Sequence, residues 1–300
     1  MHNQRRVFWA MLLTGSFMVV EAVGGVLSGS LALLSDAGHM LTDFAALSLA
    51  WFAFRAGRRR ADIRRSYGYH RFQVLAAFVN GLAMVAIALW IVIEAIRRFA
   101  APVDVLPGPM LVIASIGLLV NIAAFAVLHG ADRTNLNIRG ATLHVAGDLL
   151  GSLAAIAAAI VILRTGWMPI DPLLSLLVAM LIARAAYSII RDAGHILLEG
   201  TPEDVDPDAL RDSLISQVPQ VADIHHVHIW SLTTERPVVT LHAVLSDDAD
   251  HDATLAALHQ ALERMFGISH ATIQLEHGPC VDQHAAKTDA AGPPISRNSA

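Results

Sequence analysis

Six long apolar runs constrain this chain more than any other feature of its sequence. They fall at about Val7–Leu27, Leu31–Phe54, Phe72–Ile96, Pro109–His129, Ile138–Leu163 and Pro172–Ile190. Each has about the length, roughly 20 predominantly apolar residues, that crosses the hydrocarbon core of a bilayer. No water is available there to satisfy backbone N–H and C=O groups, so each run has to be helical. Gly, Ser and Pro mark the breaks, as at Ser28–Ser30, Leu106–Pro109 and Trp167–Pro169. The breaks are short, so neighbouring helices are expected to be antiparallel. The predicted architecture over residues 1–200 is therefore an all-α bundle of six transmembrane helices. Composition agrees. The chain is 55% hydrophobic and only 16% charged, where a soluble domain has about 25% charged residues. The first run is too long for the apolar part of a signal peptide and has no plausible cleavage site, so a retained span is expected.

Arginine placement predicts the orientation. The break after the second run carries Arg55, Arg58, Arg59, Arg60, Arg64, Arg65 and Arg71. Arg5, Arg6, Arg133 and Arg139 fall on the same side, against Arg97, Arg98 and Arg164 on the other. Both termini are thus expected in the cytoplasm. Low lysine with abundant Arg and Ala suggests a bacterial source, and hence the inner (plasma) membrane. A net charge of −5 gives no reason to expect a nucleic-acid partner. Cys280 is the single cysteine, which excludes an intramolecular disulfide and a multi-thiolate metal cluster within one chain.

Beyond about Glu199 the pattern changes. Asp206–Gln217 and Thr254–Phe266 have helical periodicity, while Ala222–Leu232, Val238–Leu245 and Ala271–His277 alternate like strands. The α-β-β-α-β order predicts a small α+β domain over residues 201–280. Residues 281–300 are polar, small and Pro-containing, and are expected to form a disordered tail.

Two ionisable pairs interrupt the apolar runs: His39 with Asp43, and His144 with Asp148. A spacing of four residues puts each pair on one helical face, one turn apart. An Asp at mid-span costs about 2.5–3.5 kcal/mol on insertion, so it is expected to have a partner and a function. A local hydrogen bond would explain one pair. The same spacing in two different spans favours a shared set of two imidazoles and two carboxylates, which suits tetrahedral zinc and lacks the soft donors that select Cu(I). Asp36, one turn before His39, also suits a helix cap or a water-filled mouth. Asn80 and Asn121 suit helix–helix hydrogen bonds. Glu94 and Asp171 lie near span ends and are expected to be solvated, and Glu21 suits a vestibule lining or local packing. No His-Glu-x-x-His motif is present, and a fully protein-filled ligand set leaves no open position for water, so an enzyme such as an intramembrane zinc hydrolase is not expected. A membrane metal sensor or scaffold that binds without transporting remains an alternative.

Residues 29–43, GSLALLSDAGHMLTD, resemble the second-helix signature of the cation diffusion facilitator family, of the bacterial zinc exporter type. Ser66–Arg71, Val79–Gly81, Leu197–Pro202 and His228–Thr233 are similar to further motifs of that family, and the resemblance spans about residues 7–280. It implies a homodimer of six-helix protomers in the lipid bilayer, joined through a cytoplasmic domain of ferredoxin-like (metallochaperone-like) fold. It also implies export of Zn2+ in exchange for protons, with the metal as substrate and as a structural or regulatory ion. His39, Asp43, His144 and Asp148 fall on the family's transport-site positions, in a form associated with zinc over cadmium. Cobalt, nickel or cadmium as main substrate remains open. His225 and His242 match cytoplasmic metal-binding positions, with Glu276 and His251 as further candidates. Glu276 and Gly278 stand where relatives carry His and Asp, so the resemblance leaves the binuclear site altered. Residues 130–137 lack the histidine-rich loop of many relatives.

Overall fold

The computed structural model describes residues 2–28, 31–101, 106–131, 134–278 and 280. Six long helices come first: α1 (His2–Ser28), α2 (Leu31–Gly57), α3 (Arg71–Ala100), α4 (Pro107–His129), α5 (Leu136–Thr165) and α6 (Ile170–Leu197). Of these, α3 to α6 are long and apolar enough to cross a membrane within the described residues. The chain clusters into two units, residues 1–200 with 231–235, and residues 201–230 with 236 onward.

Small residues bring the helices of the first unit together. Ala77, Ala186 and Ala193 lie buried where α3 packs on α6, and a Cβ on Gly81 would stand 2.8 Å from Ile190 Cγ1. Ala10, Ala50, Ala124 and Ala141 play the same part among α1, α2, α4 and α5. Lipid supplies no hydrophobic drive for helix association, so close backbone approach and interhelical hydrogen bonds have to supply the specificity. Asn137 Nδ2 donates to Ala50 O at 2.8 Å and Asn80 Nδ2 to Ala46 O at 3.4 Å, tying α5 and α3 to α2. Arg98 reaches both Glu94, at 3.2 Å, and Asp171, at 3.1 Å. Asp171 is buried at 9% exposure, unlike the solvated residue its place near a span end suggests. Its carboxylate is held by an arginine from α3, and such a partner offsets the cost of desolvation.

The second unit contains α7 (Pro207–Gln217), β1 (Val221–Ser231), β2 (Pro237–Leu245), α8 (His251–Phe266) and β3 (His270–Glu276). The order matches the α-β-β-α-β pattern. The sheet runs β1-β2-β3, with β2 and β3 parallel and Val238 opposite His270 in register. A parallel pair needs a crossover, which α8 provides. Asp206 caps α7 by accepting from Asp208 N, with Pro207 at the first helical position. Asp250 caps α8 by accepting from Ala253 N. That cap starts α8 three residues earlier than periodicity alone suggests, because the intervening His251, Asp252 and Ala253 carry little apolar signal. Leu210, Leu214, Ile224, Leu241, Leu258 and Leu262 form the core beneath the sheet. The predicted disordered tail, 281–300, lies outside the described residues.

Candidate metal centres

In the first unit, α2 supplies Asp43 and α5 supplies His144 and Asp148. Their ligand-capable atoms all lie within 4.8 Å of one another. His144 Nε2 stands 2.9 Å from Asp43 Oδ1, and both residues are buried, at 9% and 5% exposure. About two turns from this pair, the hydrogen bond from Asn137 to Ala50 holds the two helices in register. On the other side, Gly147 lets α6 approach: a Cβ there would meet Ile182 side-chain atoms at 3.3 Å. The three residues open into a cavity of about 330 Å³ that also reaches Met40, Met84, Asn121 and Ser152. His39 lies in α2 four residues before Asp43, but its side chain is outside the described residues, as are those of Asp36 and Glu21. Carboxylates from two helices facing an imidazole inside this cavity can neutralise a divalent cation while coordinating it, and the same imidazole can carry a proton instead.

The second unit gathers His225 from β1, His242 from β2, Glu276 from the end of β3 and Cys280 beyond it, with ligand atoms again within 4.8 Å of one another. Glu276 Oε1 lies 3.0 Å from His242 Nδ1, and Oε2 lies 3.2 Å from His225 Nε2. Cys280 Sγ is 3.6 Å from His242 Nδ1. Burial alone would push the Glu276 carboxyl up. Hydrogen bonds with Gln274 and Cys280, and the charges of His225 and His242, outweigh it and hold the group below its ordinary range. His226 sits at φ 51° within β1, a left-handed conformation that non-glycine residues rarely adopt. The kink falls within the stretch Ala222–Leu232 expected to alternate, and the His226 ring lies 5.3 Å from that of His225 and 5.0 Å from that of His242.

Donor chemistry and one structural detail fit a metal ion here. His225 Nε2 and Glu276 Oε2 are shielded from solvent, face each other, and take part in no hydrogen bond. Two nitrogens, a carboxylate and a thiol form a mixed set suited to a borderline cation such as Zn2+. The sequence-level candidates His225, His242 and Glu276 thus converge. His251 is not among the four; its ring stacks on His277 at a centroid distance of 4.7 Å. Cys280 was not a sequence-level candidate. Its only signal is its place four residues beyond Glu276.

Comparison with known proteins shows the family to which the chain belongs. The cation efflux transmembrane domain matches residues 7–198, and the cation efflux protein cytoplasmic domain matches residues 202–278. The chain is a multi-pass membrane protein and belongs to the cation efflux, or cation diffusion facilitator, family. It is 49% identical over 280 residues to the zinc transporter ZitB of Escherichia coli, covering 93% of this chain and 89% of that one. It is 43% identical over 280 residues to the cadmium, cobalt and zinc/H(+)-K(+) antiporter of Bacillus subtilis, covering 91% and 89% of the two chains. Against the metal cation efflux system protein CzcD of Cupriavidus metallidurans it is 38% identical over 294 residues, covering 98% and 93%.

Proposed function

We propose that this protein exports Zn2+ from the cytoplasm in exchange for protons, through a site made of His39, Asp43, His144 and Asp148. The observation that carries the reading is the convergence of Asp43, His144 and Asp148 from two helices on one intramembrane cavity. The relatives named zinc transporter and cation/proton antiporter support the substrate and the coupling.

The chemistry follows from the donor set. Neutral imidazole binds zinc and protonated imidazole does not. Zinc and protons therefore compete for the same atoms, which is the minimum an antiporter requires. Asp43 and Asp148 offset the charge of the cation, so the site never holds a bare dication in a low-dielectric medium. In the inward-facing form the site takes zinc from the cytoplasm. Rearrangement of the bundle exposes it to the other side, where protons displace the metal, and the return step releases those protons inside. In this scheme both termini lie in the cytoplasm, as the arginine distribution favours, and the membrane is the bacterial inner membrane, as the low-lysine, Arg- and Ala-rich composition suggests.

The second centre fits a resident ion instead of cargo. His225, His242, Glu276 and Cys280 would hold it, and the charge it supplies would fix the end of β3 against β1 and β2. The match to a cytoplasmic domain whose family is named for dimerisation supports a homodimer formed through this unit.

Reconstitution in proteoliposomes with a trapped pH indicator tests the transport reading. Added zinc should enter with opposite proton movement, and His39→Ala should abolish both. Zinc binding without flux would replace the transporter by a sensor or scaffold. Faster cadmium or cobalt flux would keep the mechanism and overturn the choice of metal.

A further inference from the structure

A basic groove lies between α5 and α6, on the face of α5 turned away from Asp148. Two stripes with helical spacing line it. Arg139, Thr142, Leu143 and Ala146 come from α5, and Arg184, Tyr187, Ser188 and Arg191 from α6. Its volume is about 820 Å³. Asp192 binds Arg139 at 2.6 Å and Arg191 at 3.0 Å, and Ser188 accepts a second bond from Arg139 at 2.6 Å. Three guanidinium groups and no carboxylate are among the described lining residues, so the lining is positively charged.

Arg184 is the informative residue. It sits near the middle of α6, it is exposed, and no described residue forms an ion pair or hydrogen bond with it. An unpaired arginine within a span is costly, which makes a counter-charge from outside the chain the economical explanation. Arg191 lies seven residues further along the same stripe, about 10 Å towards the end of α6 that leads into the second unit. Arg139 is near the matching end of α5. Beyond these cations, Leu143, Ala146, Leu181 and Phe125 give the deeper part of the groove an apolar floor. Tyr187 is 66% exposed at the rim, a side chain favoured where apolar and polar layers meet.

We propose that this groove binds the phosphate of an anionic phospholipid headgroup, with an acyl chain along its apolar floor. A polar end followed by an apolar floor matches an amphiphile better than a free anion. Basic pockets between transmembrane helices are a recurrent form of anionic headgroup site. Arg184 and Arg191 reach the phosphate, with long side chains directed towards the interface. Arg139 is committed to Asp192 and Ser188 and shapes the wall. The inference does not depend on the metal carried, because no ligand of either metal centre lines the groove.

The test uses the purified full-length protein, stripped of lipid in dodecylmaltoside micelles. Thermal unfolding is followed while dioleoylphosphatidylglycerol, dioleoylphosphatidylcholine or inorganic phosphate is titrated in. Phosphatidylglycerol alone should raise the midpoint in a saturable way. Arg184→Gln should weaken that response about five-fold, the effect of one basic residue at an anionic surface, and Arg184→Lys should keep most of it. If Arg184→Gln does not fold, Arg191→Gln carries the same prediction. Equal stabilisation by phosphatidylcholine, equal stabilisation by phosphate alone, or an unchanged response in the folded glutamine variant would each overturn the proposal.

Discussion

The two candidate metal centres are built from similar donors on very different supports. In the membrane unit, Asp43 and the His144–Asp148 pair project from long helices, and the two residues on α5 are one turn apart. In the second unit, each donor comes from a different strand or from the chain beyond β3, and β1 needs a left-handed residue at His226 where the rings gather. Asp43, His144 and Asp148 offer only oxygen and nitrogen donors, whereas the other cluster adds the Cys280 thiol. A cargo site has to release its ion each cycle, and borderline donors that also accept protons suit exchange. A site that includes a thiolate and a buried carboxylate suits retention. On the proposed assignment, the contrast would mean that ligand type follows the lifetime required of the bound ion.

The largest expected effect separates the two sites by function. Asp148→Ala or His144→Ala should reduce zinc flux in proteoliposomes by more than about 100-fold, because even loss of an outer-shell partner costs 10–100-fold. Membrane insertion and dimer content should be unchanged. Flux near that of the parent protein in either variant would break the comparison at its first term.

Next in size is Glu276→Gln. Zinc binding to the second centre, measured by equilibrium dialysis in an Asp148→Ala background that silences the membrane site, should weaken about 10–100-fold. Flux through the otherwise intact protein at saturating zinc should be retained. If flux falls as far as in Asp148→Ala, the second centre is part of the transport path and the distinction between cargo and resident ion fails.

Cys280→Ser sharpens the difference in donor type. In the same silenced background, cadmium affinity should drop about ten-fold more than zinc affinity, because a hydroxyl replaces the soft ligand. Equal losses would mean that the thiol packs beside the site without entering it.

The smallest effect concerns the support. Asn137→Ala removes the bond to Ala50 O that ties α5 to α2. A membrane-buried hydrogen bond of this kind contributes about 0.6 kcal/mol on average. Thermal unfolding should therefore shift by only a few degrees, with zinc flux reduced less than in any ligand variant. A loss of flux comparable to His144→Ala would show that this bond sets the ligand geometry.

How far these features were legible depended on the range of the interaction behind them. His144 and Asp148 stood out because one turn of helix fixes their relation, and because ionisable groups in an apolar run are costly without a purpose. Asp43 needed the further step of pairing two spans, which the repeated spacing suggested. Cys280 gave no such signal: its partners lie on three strands, and only the sheet register and the turn after Glu276 bring the thiol to His242. His251 had the right residue type but packs on His277, a choice that spacing cannot encode. Asp171 was misjudged because depth along a span says nothing about whether a neighbouring helix, here through Arg98, covers it.

The sequence by itself determined the six-helix bundle, the order of elements in the second unit and the chemistry offered inside the membrane. Hydrophobic runs, caps and turn residues act over a few positions, and a bilayer admits few alternatives to helices. Tertiary structure alone decided which donors meet. It set the approach of α5 to α6 at Gly147, the kink at His226, the inclusion of Cys280 and the alignment of arginines across two helices in the groove. These relations join residues far apart in the chain, and packing and register fix them where local sequence preference has no reach.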